Sequence, residues 1–169
     1  MPAFVASLTS ALRPAAAALS IAALLCASAQ AADTPAEPPA GKADKLAAAR
    51  AAIAAKKWPV ALTELKKVND TGSADWNNLM GFALRKNTPP DLAQSEQYYD
   101  AALKVDPNHK GALEYSGELY LMTDRLPQAE QRLATLDKVC AGGCDERDEL
   151  KKAVARYKAA GNKYVADAR

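Results

Sequence analysis

The chain has 169 residues, 22 Lys and Arg against 20 Asp and Glu, a formal charge of +2 and a single histidine. Nothing in this balance suggests a nucleic-acid surface, where a clustered excess of basic residues is expected. The length fits one domain, and the three cysteines are too few for a disulfide-built scaffold.

The first 31 residues read as a secretory signal peptide: Arg13, the apolar run Ala15 to Leu25, then Ala29-Gln30-Ala31 with cleavage expected after Ala31. That run is well short of the roughly 20 apolar residues that span a bilayer. An Ala-rich amphipathic helix fits less well, because Arg13 is isolated and no polar face develops. A lipoprotein signal ending at Cys26 is disfavoured by the bulky Leu25 before it. Removing the segment takes away one base and no acid, so the remaining charges nearly cancel. Residues 32–42 begin ADTPAEPPAG, with three prolines and little to bury, and read as a disordered linker.

Residues 43–160 read as one domain, and from residue 43 to residue 139 the chain repeats itself. WPVALTELKKVND from Trp58, LAQSEQYYDAALKVD from Leu92 and LPQAEQRLATLDKVC from Leu126 begin 34 residues apart. The same spacing relates Ala61, Ser95 and Ala129, then Leu65, Tyr99 and Leu133, then Val68, Ala102 and Leu136. Within each copy the offsets of 3, 7 and 10 from the first column place all four positions on one helical face. A second helix precedes each of these. ADWNNLMGFALRK and KGALEYSGELYLM carry Gly81 and Gly117 among apolar residues, where the first copy has Ala49, and a small residue there lets the paired helix approach. Turn residues separate the paired helices at Lys57-Trp58-Pro59, Asn87-Thr88-Pro89-Pro90-Asp91 and Thr123-Asp124. Pro59 and Pro127 suit first helical turns. Copies are divided at Asn69 to Ser73 and at Asp106-Pro107-Asn108. An all-α fold follows.

These residues resemble the tetratricopeptide repeat family. The second copy matches best, with Trp76, Leu79, Gly81, Tyr99, Ala102, Leu103 and Pro107; the third has Gly117, Tyr120, Ala129 and Leu136, and the first has Ala49, Ala61 and Leu65. The second copy departs by two extra residues between Gly81 and Ser95 and by Ser95 itself, and the first and third lack the closing proline. The resemblance implies an α-α superhelix of about three helix pairs that needs an end cap. Residues 145–160 fit the cap, with Leu150, Val154 and Tyr157 on one stripe, acids first, lysines later, and Gly161 as the stop. Residues 161–169 form a tail.

Little in the sequence serves catalysis. His109 follows Asp106-Pro107-Asn108 and reads as a solvated turn residue; no nucleophile-base set, phosphate loop or metal-ligand spacing accompanies it. The chain is therefore expected to be non-enzymatic, without cofactor or metal. Cys140 and Cys144, the two cysteines beyond the signal, flank Ala-Gly-Gly. A structural disulfide is expected in an oxidising compartment, with the glycines allowing the reversal. A redox pair is the sharper alternative, since Cys144 would start a helix. Against it stand the three-residue spacing and the acids that follow. Two thiolates without a histidine nearby fill only half a zinc site.

By the resemblance, the first helix of each pair lines a concave groove. The lining would include Leu46, Arg50 and Ile53, then Asp75, Asn78, Phe82 and Arg85, then Glu114, Glu118 and Leu121. Only Asn78 suggests the Lys/Asn clamp with which some family members hold a carboxylate. Trp58 and Trp76 are expected in the core. The implied function is an exported, periplasmic or secreted, scaffold or adaptor that binds a partner protein or peptide of the envelope. The runner-up is a thiol-disulfide partner or assembly factor acting through Cys140 and Cys144, and self-association of the repeat ends is a third expectation.

Overall fold

The computed structural model describes residues 44–166, so the expected signal peptide, the whole of the expected linker, residue 43 and the last three residues lie outside the described residues. Within that range the chain forms seven α-helices and no strand. They are α1 (Ala47–Ala54), α2 (Trp58–Val68), α3 (Ala74–Lys86), α4 (Leu92–Val105), α5 (Lys110–Met122), α6 (Leu126–Val139) and α7 (Asp145–Ala159). The three residues of the first repeat column, Trp58, Leu92 and Leu126, are the first residues of α2, α4 and α6.

Local chemistry accounts for the helix starts. Prolines occupy the opening turns of α2 and α6, where a missing N–H costs nothing. Ser73 caps α3 by accepting from the Trp76 N–H at 3.3 Å, and Asp91 caps α4 by accepting from the Gln94 N–H at 2.9 Å. The two extra residues of the second copy fall in the α3–α4 loop, Asn87 to Asp91, and leave the helices intact. Acids cluster in the first turn of α7 and basic residues in its last, which complements the helix dipole.

Each helix packs only on neighbours one or two places away in the chain among the described residues: each of α1 to α6 on the next, with α3 also against α1 and α5, and α7 against α5 and α6. Two apolar clusters result. One gathers Leu46, Ala61, Leu65, Trp76 and Met80 across α1 to α3; the other gathers Tyr99, Leu113, Leu119, Leu136, Leu150 and Tyr157 across α4 to α7. Three of the four repeat columns supply much of this interior: Ala61, Ser95, Ala129, Leu65, Tyr99, Ala102 and Leu136 are fully enclosed. Polar anchoring follows the same neighbours. The Trp76 indole donates to the Leu65 carbonyl at 2.8 Å, and the Ser95 hydroxyl donates to the Gly81 carbonyl at 2.6 Å.

The small residues do different jobs from copy to copy. A Cβ at Gly81 would come within 2.8 Å of the Tyr99 ring and 3.0 Å of the Ser95 carbonyl, so this glycine does allow α3 and α4 to close on each other. At Gly117 the nearest atoms belong to Leu150, at 2.6 and 2.7 Å, so this glycine makes room for α7. No helix of the described residues is long and apolar enough to cross a membrane.

Candidate functional site: the α1–α3–α5 face

The first helices of the three pairs line two adjoining cavities that share Ile53, Phe82, Glu114 and Tyr115. The smaller, about 260 Å³, is closed by Trp58 and flanked by Lys56 and Lys86. The larger, about 490 Å³, opens between Asp75 and Asn78 of α3, Gly111 and Glu114 of α5, and the start of α7. The faces meet because α3 packs on both α1 and α5, which brings residues about one repeat apart in sequence side by side.

Aromatic rings build the floor of the smaller cavity. Phe82 sits 5.9 Å from Trp58, edge to face, and 4.6 Å from Tyr115. All three are half-buried. The guanidinium of Arg85 lies 5.7 Å from the Phe82 ring and 5.5 Å from the Tyr115 ring. It also donates to the Glu118 carboxylate at 2.7 Å in an enclosed ion pair joining α3 to α5. Burial opposes the charge on Arg85, and the Tyr99 hydroxyl and Glu118 outweigh that, holding its pKa above the ordinary arginine value. Burial, reinforced by the neighbouring Glu114, pushes the Tyr115 hydroxyl up to about 12.

A second polar set occupies the other end. Asp75 accepts from Arg50 at 2.9 Å and from His109 Nε2 at 2.9 Å. His109 caps α5, its Nδ1 accepting from the Ala112 N–H at 3.1 Å, which places the ring proton on Nε2 and aims it at Asp75. The hydrogen bond from His109, helped by the Arg50 charge, holds the Asp75 carboxyl below its ordinary value.

Of the ten expected groove residues, Arg50, Ile53, Asp75, Asn78, Phe82, Glu114 and Glu118 line the cavities. Three do not. Leu121 is 1% exposed and belongs to the α4–α7 core, and the Arg85 side chain is equally enclosed beneath the aromatic floor. Leu46, also expected there, is buried in the first core cluster. Trp58 corrects the expectation in the opposite direction: it is half-buried and walls the groove, whereas Trp76 is core as expected. His109 is no solvated turn residue, because both ring nitrogens are engaged and its side chain is 14% exposed. Tyr115 and Lys86 were absent from the sequence-level lining. Tyr115 sits 33 residues after Phe82, short of the 36 that relate Gly81 to Gly117, so the repeat columns do not pair the two rings and the contact arises from how α3 and α5 pack.

Cys140 and Cys144 form a disulfide with a Cα–Cα distance of 5.7 Å, joining the end of α6 to the start of α7. Gly143, at φ +96°, supplies the left-handed residue of the reversal, where a side chain would be strained. Cys140 is buried and Cys144 half-buried. Among the described residues no group of three His, Cys, Asp or Glu side chains converges to hold a metal ion.

No protein-family model matches the chain, and no curated protein matches it significantly.

Proposed function

We propose that the chain is an exported, non-enzymatic tetratricopeptide-repeat scaffold of a bacterial envelope, which holds a segment of a partner protein along the α1–α3–α5 face. The repeat reading is supported by the 34-residue columns, which begin α2, α4 and α6 alike, and by packing confined to near neighbours in the chain. The single observation that carries the binding reading is the aromatic-floored groove of Trp58, Phe82 and Tyr115, shared by three helix pairs.

The two cavities differ in size: the smaller, about 260 Å³, falls below the range of roughly 300–1,000 Å³ usual for drug-sized ligands, the larger, about 490 Å³, falls within it, and the two adjoin along one face. That geometry suits one apolar side chain of an extended segment, with the segment's backbone running on along the groove. Enzymatic use of the one histidine is disfavoured, because His109 spends one nitrogen on the α5 cap and the other on Asp75.

The reading is tested by placing the photo-cross-linker p-benzoylphenylalanine at Phe82, and separately at Ala134 on α6, in the full chain expressed with its own envelope. The expected outcome is a defined adduct from position 82, mapped to one segment of one protein, abolished by Trp58→Asp and absent from position 134. Equal labelling from both positions, or none from position 82, overturns it.

A further inference from the structure

We propose that the Cys140–Cys144 bond is a redox-sensitive latch on the larger cavity: closed, it holds the first turn of α7 as one wall, and opened by a dithiol it releases that turn while the rest of α7 stays docked. The effect on a bound segment rests on the groove reading above; the latch itself does not.

Two observations divide α7 at Leu150. The α7 residues that line the larger cavity are Asp145, Glu146 and Glu149. The α7 residues that are buried are Leu150, Ala153, Val154 and Tyr157, all beyond that wall. Apolar burial therefore holds the later turns on α5 and α6 and does nothing for the turn that faces the cavity. Capping does not hold it either: Ser73, Asp91 and His109 cap α3, α4 and α5 with their side chains, whereas Cys144 stands at the start of α7 with no side-chain cap. Arg147 donates to the Cys140 carbonyl at 3.4 Å, within the loop that the bond closes, and to Asp148 of its own helix at 2.7 Å. The disulfide is the covalent tie between this turn and the end of α6.

Access favours the exchange. Residues 141–143 are exposed and Cys144 is half-buried, while Cys140 is buried, so an incoming thiolate meets the Cys144 sulfur. One thiol of the dithiol loses its proton to solvent and attacks Cys144 Sγ. A mixed disulfide forms, the Cys140–Cys144 bond breaks, and the electron pair leaves on Cys140 Sγ, which takes a proton from solvent. The second thiol of the dithiol, its proton also lost to solvent, then attacks its own sulfur in the mixed disulfide and expels Cys144 as a thiolate, at a helix start where negative charge is favoured. Protonation of that thiolate completes the transfer of two electrons and two protons: the protein ends as two thiols and the dithiol as a disulfide.

The test compares the full chain oxidised and reduced by dithiothreitol. Reduction in native buffer is expected within about tenfold of its rate in urea, and a bond that opens only on unfolding overturns the proposal. Hydrogen exchange read by NMR is expected to speed about tenfold or more at the Asp148, Glu149 and Leu150 amides, whose helical acceptors lie at 144–146, and to change less than about twofold from Ala155 to Ala159. No change at 148–150, or equal loosening of all α7, overturns it. With p-benzoylphenylalanine at Arg50, in the wall of the larger cavity, the adduct is expected to fall severalfold on reduction while the adduct from position 82 persists. An adduct from position 50 that forms equally in both states overturns the link to the cavity. Cys140→Ser/Cys144→Ser should match the reduced chain with or without dithiothreitol, and a response of that variant to dithiothreitol assigns the change to another bond. If neither position captures anything while the exchange pattern holds, the groove reading falls and the latch stands.

Discussion

Ser95 stands where two other repeats have alanine, and its hydroxyl donates to the Gly81 carbonyl inside the α3–α4 contact. Ser95→Ala is therefore expected to lower stability by about 1 kcal/mol, the usual net value of one such bond. Gly81→Ala is expected to cost more, about 1–3 kcal/mol, because the new methyl meets the Tyr99 ring and also a backbone carbonyl that cannot swing away. Urea midpoints of the two variants should fall in that order, and the reverse order would mean that the helices separate easily. Exposed charge gives a pH signature. Arg125 binds Glu96 through two bonds of 2.8 and 2.7 Å, and this hydrogen bonding holds the Glu96 carboxyl below the ordinary glutamate value. A carboxyl depressed in the folded state adds stability that is complete above the unfolded value of about 4.3 and is lost as pH falls through the folded value. Glu96→Gln should then cost about 0.5–1 kcal/mol at pH 7 and much less at pH 3, measured by urea unfolding at both. An equal loss at the two pH values would assign the effect to packing.

At the scale of the element, α7 is held by its stripe and by one covalent link. Leu150, Val154 and Tyr157 are all buried, and the Tyr157 hydroxyl donates to Asp124 at 3.2 Å. The disulfide closes a short loop, for which loop entropy gives about 2 kcal/mol. Cys140→Ser/Cys144→Ser should lower stability by about that amount, loosen α7 first in hydrogen exchange, and leave capture from position 82 intact. A folded double variant that captures nothing would move the function to the cysteines. Gly117 reports on the same docking from the other side, since a methyl there must push Leu150 out of its seat.

Across the whole molecule, long-range polar links join each helix pair to the next. Arg50 reaches Asp75, His109 also reaches Asp75, Arg85 reaches Glu118, Glu96 reaches Arg125, and Asp100 reaches Arg132, with separations of 25, 34, 33, 29 and 32 residues. Four of these are wholly or partly exposed and each contributes at most about 1 kcal/mol. Arg85–Glu118 differs because both side chains are enclosed. Arg85→Met should cost about 3–5 kcal/mol by stranding the Glu118 carboxylate, while Arg85→Met/Glu118→Met should recover most of the loss. A cycle of the four proteins measured by chemical denaturation decides the matter, and additive losses would mean that the pair is not coupled.

Much of the fold was legible because it rests on short-range rules. A repeated helical spacing, prolines at helix starts and turn residues between copies are properties of ten to thirty consecutive residues, and they located α2, α4, α6 and the stripe of α7. Seven expected groove positions also line the cavities, since helix phase alone sets which residues share a face. Helix phase does not say how deep that face lies. Arg85 and Leu121 share helices with cavity-lining residues and Leu46 immediately precedes α1, yet all three are enclosed and line neither cavity, and Trp58 sits in an apolar column yet walls the groove. His109 takes its role from Asp75, 34 residues earlier, and Asn78 lines its cavity with Gly111 and with acids of α7. Sequence by itself determined the all-helical architecture and the faces; tertiary structure alone decided which polar groups are buried, paired or left open, because those outcomes depend on how closely separate helix pairs approach.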